Sequence, residues 1–255
     1  MDTAVPSGVV RKGAPCVMAV ALLHGCSPVV INLDPDGDSY ELIDDMEHHG
    51  ASLPVPPRNG RTGKWAVYND GTPTAMQVPD PHGDFAMFPT IPPRGSSHLA
   101  ARTFGEGFKD PGRPSMGWAQ MVVELVAAQA SDGGAPTYDA SAYRGVRFWA
   151  RIKDDTKNPV LRFSVNDLAH DPRGGLCSPD SLCYNNYFTT VPLTTDWARY
   201  KILFRDLAQG EWPSQTFPSI DIEHVIAIVF GFTGPDAFDI WIDDLEFIVG
   251  PYASP

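Results

Sequence analysis

The sequence predicts an all-β fold, an antiparallel sandwich or barrel formed as a single domain. Three observations carry that expectation. Apolar and polar residues alternate with period two through most of the chain, as in half-buried strands. No helix-length amphipathic segment stands out. The chain holds 25 prolines and 23 glycines in 255 residues, about 19% against a usual 12%. So many breakers give short elements, and the 43% of residues that are hydrophobic supply a packed core.

The elements follow in order. Residues 1–25 read as an export signal: Arg11-Lys12 is a positive start, Ala14–Leu23 is an apolar run too short to span a bilayer, and Leu23-His24-Gly25-Cys26 resembles a lipoprotein processing site. Lipid attachment is expected at Cys26; a plain secretory signal or a short buried helix is the alternative. Residues 26–39 are an acidic tether. Its Asp34-Pro35-Asp36-Gly37-Asp38 lacks the Gly and Glu spacing of a calcium-binding EF-hand loop. Tyr40–Met46 is the first strand. Lys64–Asn69 is another, closed by the turn signal Asp70-Gly71. Pro79–Gly95 reads as a long loop. Ser97–Phe104 and Met116–Val126 are strands on either side of the loop Gly105–Pro114, and Ala127–Ala130 extends a strand end or makes a turn of helix. Val146–Ile152 places Val146, Phe148, Ala150 and Ile152 on one face, and Arg147, Trp149 and Arg151 on the other. Leu161–Val165 directs Leu161, Phe163 and Val165 inward. Trp197–Phe204 and Val225–Phe232 come next. In the last strand Phe238, Ile240 and Ile242 alternate with Asp239, Trp241 and Asp243, and Leu245 and Phe247 continue it. No repeat and no internal boundary interrupts this rhythm, so one domain is expected over residues 40–250.

Charge and motifs exclude several functions. Lys and Arg number 19 against 31 Asp and Glu, a net charge of −12. The longest basic run is Arg11-Lys12, so the basic footprint of a nucleic-acid binder is missing, and an anionic membrane surface is disfavoured. Any membrane association is expected through the lipid alone. There is no GxSxG elbow, no HExxH and no phosphate-binding glycine loop. His48 and His49 are adjacent, so on a strand they point to opposite faces. Of the four cysteines, Cys16 leaves with the signal and Cys26 takes the lipid. Cys177 and Cys183 remain, and in an oxidising compartment they are expected to form a disulfide.

Two further patterns point to binding. Ile43-Asp44-Asp45-Met46-Glu47 and Ile242-Asp243-Asp244-Leu245-Glu246 are acidic clusters on the first and last strands. If those strands are neighbours, the clusters need a cation, and calcium takes six to eight hard oxygen ligands. The alternative is a pair of solvent-facing strand ends. The aromatics Trp65, Tyr68, Trp118, Trp149, Tyr184, Tyr187, Trp212 and Trp241 spread over strands and loops. Such rings stack on the C–H faces of sugars, or else simply fill the core. Trp149 and Trp241 lie opposite their strands' apolar residues, on a second sheet face or in a groove. Tyr184-Asn185-Asn186-Tyr187, just after the expected disulfide, reads as a recognition loop.

The same residues carry a family resemblance. Leu42–Glu47 resembles the opening "IDDFE" strand of galactose-binding-like jelly rolls, and Phe238–Phe247 resembles their closing strand. Gly60–Gly71 is similar to the "GxxGxWxxYNDG" segment of family 11-like carbohydrate-binding modules. Tyr138–Ala150 and the Gly-Gly-x-Cys…Cys stretch from Gly174 to Cys183 are similar too. The likeness runs from about residue 40 to 248. It implies a β-sandwich with polysaccharide bound on a concave face and a structural calcium. By position, Glu47 with Asp243 or Asp244 would hold the ion, completed by backbone oxygens near Gly63-Lys64. Sugar contacts would fall to Trp118, Asn166, Tyr187 and Trp212, beside Trp65, Tyr68 and Tyr184. The expected function is non-catalytic carbohydrate binding by a secreted or lipid-anchored monomer. An envelope protein-interaction module is the alternative, and a polysaccharide-active enzyme is the weakest reading.

Overall fold

The computed structural model describes residues 32–33, 37–48, 58–109, 117–127, 134–154, 156–177, 183–210, 216–234 and 236–254. The export segment, Cys26, most of the tether and Trp212 lie outside them.

The described residues form strands and short 3-10 turns. The strands are β1 (Asn32–Leu33), β2 (Ser39–Asp44), β3 (Trp65–Asn69), β4 (Met76–Val78), β5 (Phe88–Arg94), β6 (Ser97–Glu106), β7 (Trp118–Glu124), β8 (Tyr143–Ile152), β9 (Val160–Asp167), β10 (Tyr187–Pro192), β11 (Ala198–Leu203), β12 (Val225–Thr233) and β13 (Phe238–Val249). They make two antiparallel sheets. One contains eight strands, with β1-β2-β13-β6-β4 as its path, β8 and β11 continuing from β13, and β5 beside β6. The other has five, in the order β10-β9-β12-β7-β3. The fold is an antiparallel β-sandwich, as the alternation predicts.

The longest strand, β13, organises the larger sheet. Its first half pairs with β6 (Ile240 opposite Thr103) and its second half with β2 (Phe247 opposite Glu41), while β8 runs along the other edge. The change of partner falls at a bulge, where Asp244 adopts a φ of +44°. The first and last acidic strands are therefore neighbours, and the second acidic cluster sits on the bulge itself.

Inward residues of the two sheets interdigitate. Phe148 of β8 lies 5.9 Å from Phe163 of β9 and 5.2 Å from Phe230 of β12, between ring centroids. Trp65 stacks on Phe230 at 6.1 Å. Each buried ring contributes on the order of 2–3 kcal/mol through removal from water.

Four strands depart from the sequence reading. β1 lies inside the expected tether and pairs with β2 at Asn32 opposite Tyr40. β5 lies within the expected loop Pro79–Gly95, because Pro89, Pro92 and Pro93 obscure its pattern. Proline is tolerated there since β5 pairs with β6 only at Phe88, Pro89 and Arg94. β4 is a three-residue edge strand. β10 starts at Tyr187, inside the segment read as a loop, and pairs along β9 from Tyr187 opposite Val165 to Pro192 opposite Val160.

Cys177 and Cys183 are bonded, with Cα atoms 5.2 Å apart. Closing so short a loop contributes about 2 kcal/mol in the chain-entropy account. Replacing both by serine should lower the urea-unfolding free energy by that amount. An unchanged midpoint would show that the bond does not stabilise the native state.

Candidate functional site

A cleft of about 840 Å³ lies over the outer face of the five-stranded sheet. Strand alternation decides what faces it. On β9, Leu161, Phe163 and Val165 are fully buried, so Arg162, Ser164 and Asn166 point to the cleft. On β7, Ala119, Met121 and Val123 are in the core, so Trp118, Gln120 and Glu124 point out. On β3, Trp65 and Val67 turn inward and Tyr68 outward. Register then sets the rungs. Tyr68, Gln120, Gly231, Arg162 and Thr190 lie side by side across the sheet. The next rung is Ala66, Val122, Val229, Ser164 and Phe188, an apolar floor where Val122 and Val229 are buried.

Gly231 makes the centre of the floor shallow. A Cβ there would sit 3.5 Å from the Arg162 carbonyl oxygen and 3.9 Å from that of Ala119, which is ordinary contact. The space above it is therefore open cleft rather than forced backbone packing.

The rims are aromatic. Tyr68, Trp118 and Tyr184 are 41%, 37% and 66% exposed. Tyr68 Oη donates to Glu124 Oε1 at 2.8 Å. Partial burial, then this bond, push its pKa up to about 12, so it stays a neutral phenol at physiological pH. The loop carrying Tyr184 is held from below. Tyr184 N–H donates to the His170 carbonyl at 2.8 Å. Gln209 Nε2 lies 2.8 Å from both the Asn185 carbonyl and His170 Nε2. The buried His170 in turn contacts Asp167 through Nδ1 at 2.5 Å. At the far rim Arg173 grips Asp171 with two bonds of 2.8 Å. Burial would raise the Asp171 pKa, but the bonds to Arg173 outweigh it and hold the carboxyl below its usual value.

Four of the proposed contact residues, Tyr68, Trp118, Asn166 and Tyr184, thus meet in one cleft. Two do not. Trp65 is 2% exposed in the core and donates from Nε1 to Asp44 Oδ2 at 2.8 Å. Tyr187 is 6% exposed and donates its hydroxyl to the Phe217 carbonyl at 2.6 Å. Parity explains both: Trp65 lies three residues from Tyr68, and Tyr187 pairs with the inward Val165. Gln120, Arg162 and Ser164 were not anticipated from sequence, although the alternation of β7 and β9 would have found them once Trp118 was placed outside.

The opposite sheet face holds Trp149 and Trp241. They belong to a ladder of guanidinium groups and rings. Arg199 and Arg94 lie 4.7 and 4.9 Å from the Trp149 ring. Arg151 and Arg102 lie 5.1 and 4.4 Å from Trp241. These tryptophans pack against arginine rather than line the cleft.

The expected calcium ligands do come together, around Ser97. Glu47 Oε1 accepts from the His98 and Leu99 N–H groups at 2.8 and 2.9 Å. Ser97 Oγ sits 3.1 Å from that oxygen and 2.6 Å from Asp243 Oδ2. Arg94 completes the cluster, with Nε 2.9 Å from Asp243 Oδ2 and Nη2 2.5 Å from Asp244 Oδ2. The Lys64 carbonyl accepts from Glu124 N–H in the β3–β7 ladder at 2.9 Å. This donor set does not fit a calcium ion. The carboxylate oxygens meet N–H and O–H groups, and the positive charge comes from Arg94. Among the described residues no group of three or more His, Cys, Asp or Glu could hold a metal. The first aspartate of the opening motif, Asp44, has a structural task instead. It is fully buried and accepts from Trp65, from Met46 N–H at 2.8 Å and from His48 Nε2 at 2.8 Å.

The chain is thus an antiparallel β-sandwich of two sheets with an aromatic-rimmed cleft on the five-stranded one. No protein-family model matches the sequence, and no curated protein matches it. Among solved structures, the chain is similar to the family 11 carbohydrate-binding module of the cellulosomal cellulase Lic26A-Cel5E of Clostridium thermocellum. The identity is 13% and the TM-score 0.49, over 83% of this chain and 95% of that one. It is also similar to the family 30 module of the cellulosomal cellulase Cel9D-Cel44B of Clostridium thermocellum, at 17% identity and a TM-score of 0.45, over 78% of this chain and 94% of that one.

Proposed function

We propose that this chain binds an oligosaccharide or polysaccharide, without catalysis, in the cleft on its five-stranded sheet. The observation that carries this is the exposed aromatic rim of Tyr68, Trp118 and Tyr184 around a floor with polar groups at Gln120, Arg162, Ser164 and Asn166. Ring faces take the C–H side of a sugar, and the polar row takes its hydroxyls. The state of the cleft carboxylates favours binding over hydrolysis. A general acid needs a raised pKa, whereas Asp171 is held low by Arg173. In this reading residues 1–25 export the chain and Cys26 anchors it outside the cell, where polysaccharide is met.

Isothermal titration tests the reading. A β-1,3-1,4-mixed-linked tetrasaccharide, the ligand in one structure of the family 11 module, is the first probe, followed by mannan, galactan and acidic oligosaccharides. Trp118→Ala and Tyr68→Ala should each weaken binding about tenfold or more, equivalent to about 1.4 kcal/mol. Gly231→Val should block the floor with little change in melting temperature, because its Cβ has room. Binding that survives all three substitutions, or silence across the whole panel, would overturn the assignment to this cleft.

A further inference from the structure

We propose that the ligand of this cleft carries a carboxylate, as in a uronic acid unit, and that Arg162 is the residue that receives it. The inference rests on the carbohydrate-binding reading above and names the class of sugar.

Arg162 stands at the middle of the floor, on β9 beside Gly231. Its Nε is buried and has no hydrogen-bond partner. Its guanidinium carbon lies over the Phe188 ring, 3.9 Å from the centroid, with no carboxylate paired to it among the described residues. Five other arginines are matched by carboxylates: Arg61 by Glu41, Arg94 by Asp243 and Asp244, Arg102 by Asp239, Arg147 by Glu246 and Arg173 by Asp171. Burial pulls the Arg162 pKa down. Even so a guanidinium keeps its proton at any physiological pH. The cleft therefore holds a charged fork, partly stripped of water and fixed in direction by Phe188, whose natural complement is a planar carboxylate gripped by two bonds.

Two neighbours shape the approach. Gly231 has no side chain, so the floor between Gln120 and Arg162 is open to a group entering beside the guanidinium. Asn166, on the same face of β9 and roughly 13 Å further along the strand, has a buried Oδ1 with no donor. It would accept from a sugar hydroxyl, one or two rings away from the carboxylate. The net charge of −12 opposes an anionic ligand at long range. It is screened beyond about 8 Å at physiological salt, while the contact to Arg162 is direct.

The test is titration of the full chain with matched pairs. Oligogalacturonate, alginate and glucuronoxylan oligosaccharides are each compared with the same molecule after its carboxyls are reduced to alcohols, with the mixed-linked glucan tetrasaccharide beside them. At least one acidic member should bind tenfold or more tighter than its reduced form. That preference should fall between about 50 and about 300 mM salt. It should disappear in Arg162→Gln and survive only in part in Arg162→Lys, which keeps the charge and loses the fork. Equal binding of acidic and reduced partners, or tighter binding of the neutral glucan, would overturn the carboxylate inference and leave the cleft assignment standing. No binding by any glycan would overturn the cleft reading itself. If Arg162→Gln unfolds, the Arg162→Lys comparison and the salt dependence of the wild-type chain decide the question.

Discussion

Arg61→Met should destabilise the fold by about 3–5 kcal/mol, the range for breaking a buried ion pair from one side. Arg61 is fully buried. Its Nη1 donates to Glu41 Oε1 at 2.6 Å and to the Tyr138 hydroxyl at 3.1 Å, and its Nη2 donates to the Leu42 carbonyl at 2.8 Å. The Tyr143 hydroxyl takes the other Glu41 oxygen at 2.6 Å. The guanidinium also lies 5.7 Å from the Tyr138 and Phe247 ring centroids. One side chain thus ties the segment before β3 to β2, to β13 and to Tyr138 ahead of β8. Removing it leaves the Glu41 carboxyl buried and short of its cationic partner. For a domain whose total stability is about 5–15 kcal/mol, the melting temperature should fall by roughly 10 °C. The loss should be partly recovered in the double variant Arg61→Met with Glu41→Leu. A variant within 1 kcal/mol of wild type in urea denaturation would refute the account.

The alternation of apolar residues made most strands and their inward faces legible. It also held more of the site than a first reading extracts. Trp65 and Tyr68 stand three residues apart on one strand, so only one of them can reach a ligand. The apolar partner Val67 already assigns Trp65 to the core. The same parity turns Tyr187 inward once β10 is recognised, since it pairs with the inward Val165. In the motif Gly60–Trp65, Gly63 is a packing position: a Cβ there would lie 1.9 Å from the Glu124 carbonyl oxygen. What the sequence conceals is pairing across long separations. Arg94 and Asp243 are 149 residues apart, and no local pattern shows that an arginine meets the aspartates at the β13 bulge. Two acidic strands at opposite ends of the chain do announce a need for positive charge. They do not say whether an ion or a side chain supplies it.

Arg94→Ala decides that question, with a comparably large effect. In the wild-type chain the fully buried Asp243 receives Arg94 and Ser97, and Asp244 receives the second arm of the same guanidinium. Arg94 is itself held against the Trp149 ring at 4.9 Å. Burial raises the Asp243 pKa, and the bonds from Ser97 and Arg94 offset that only in part. Burial would lower the Arg94 pKa, but Asp243 and Asp244 outweigh it and the net shift is upward. The two partners therefore differ: the pair favours the charged arginine, while the aspartate remains harder to ionise than in water. A carboxyl with a raised native pKa contributes stability below its unfolded value, near 3.9, and loses it as pH rises through the native value. Without Arg94 the native pKa climbs further. The deficit of Arg94→Ala should then be small near pH 4 and grow to about 3 kcal/mol or more at pH 7. Chelation of the wild-type chain should leave its melting temperature unchanged, because its cation is covalently part of the fold. Added calcium should raise the melting temperature of Arg94→Ala alone, where the freed carboxylates of Asp243 and Asp244 offer oxygens to an ion that binds the native state. A drop of several degrees when the wild-type chain is chelated would reverse the assignment and make calcium the resident cation.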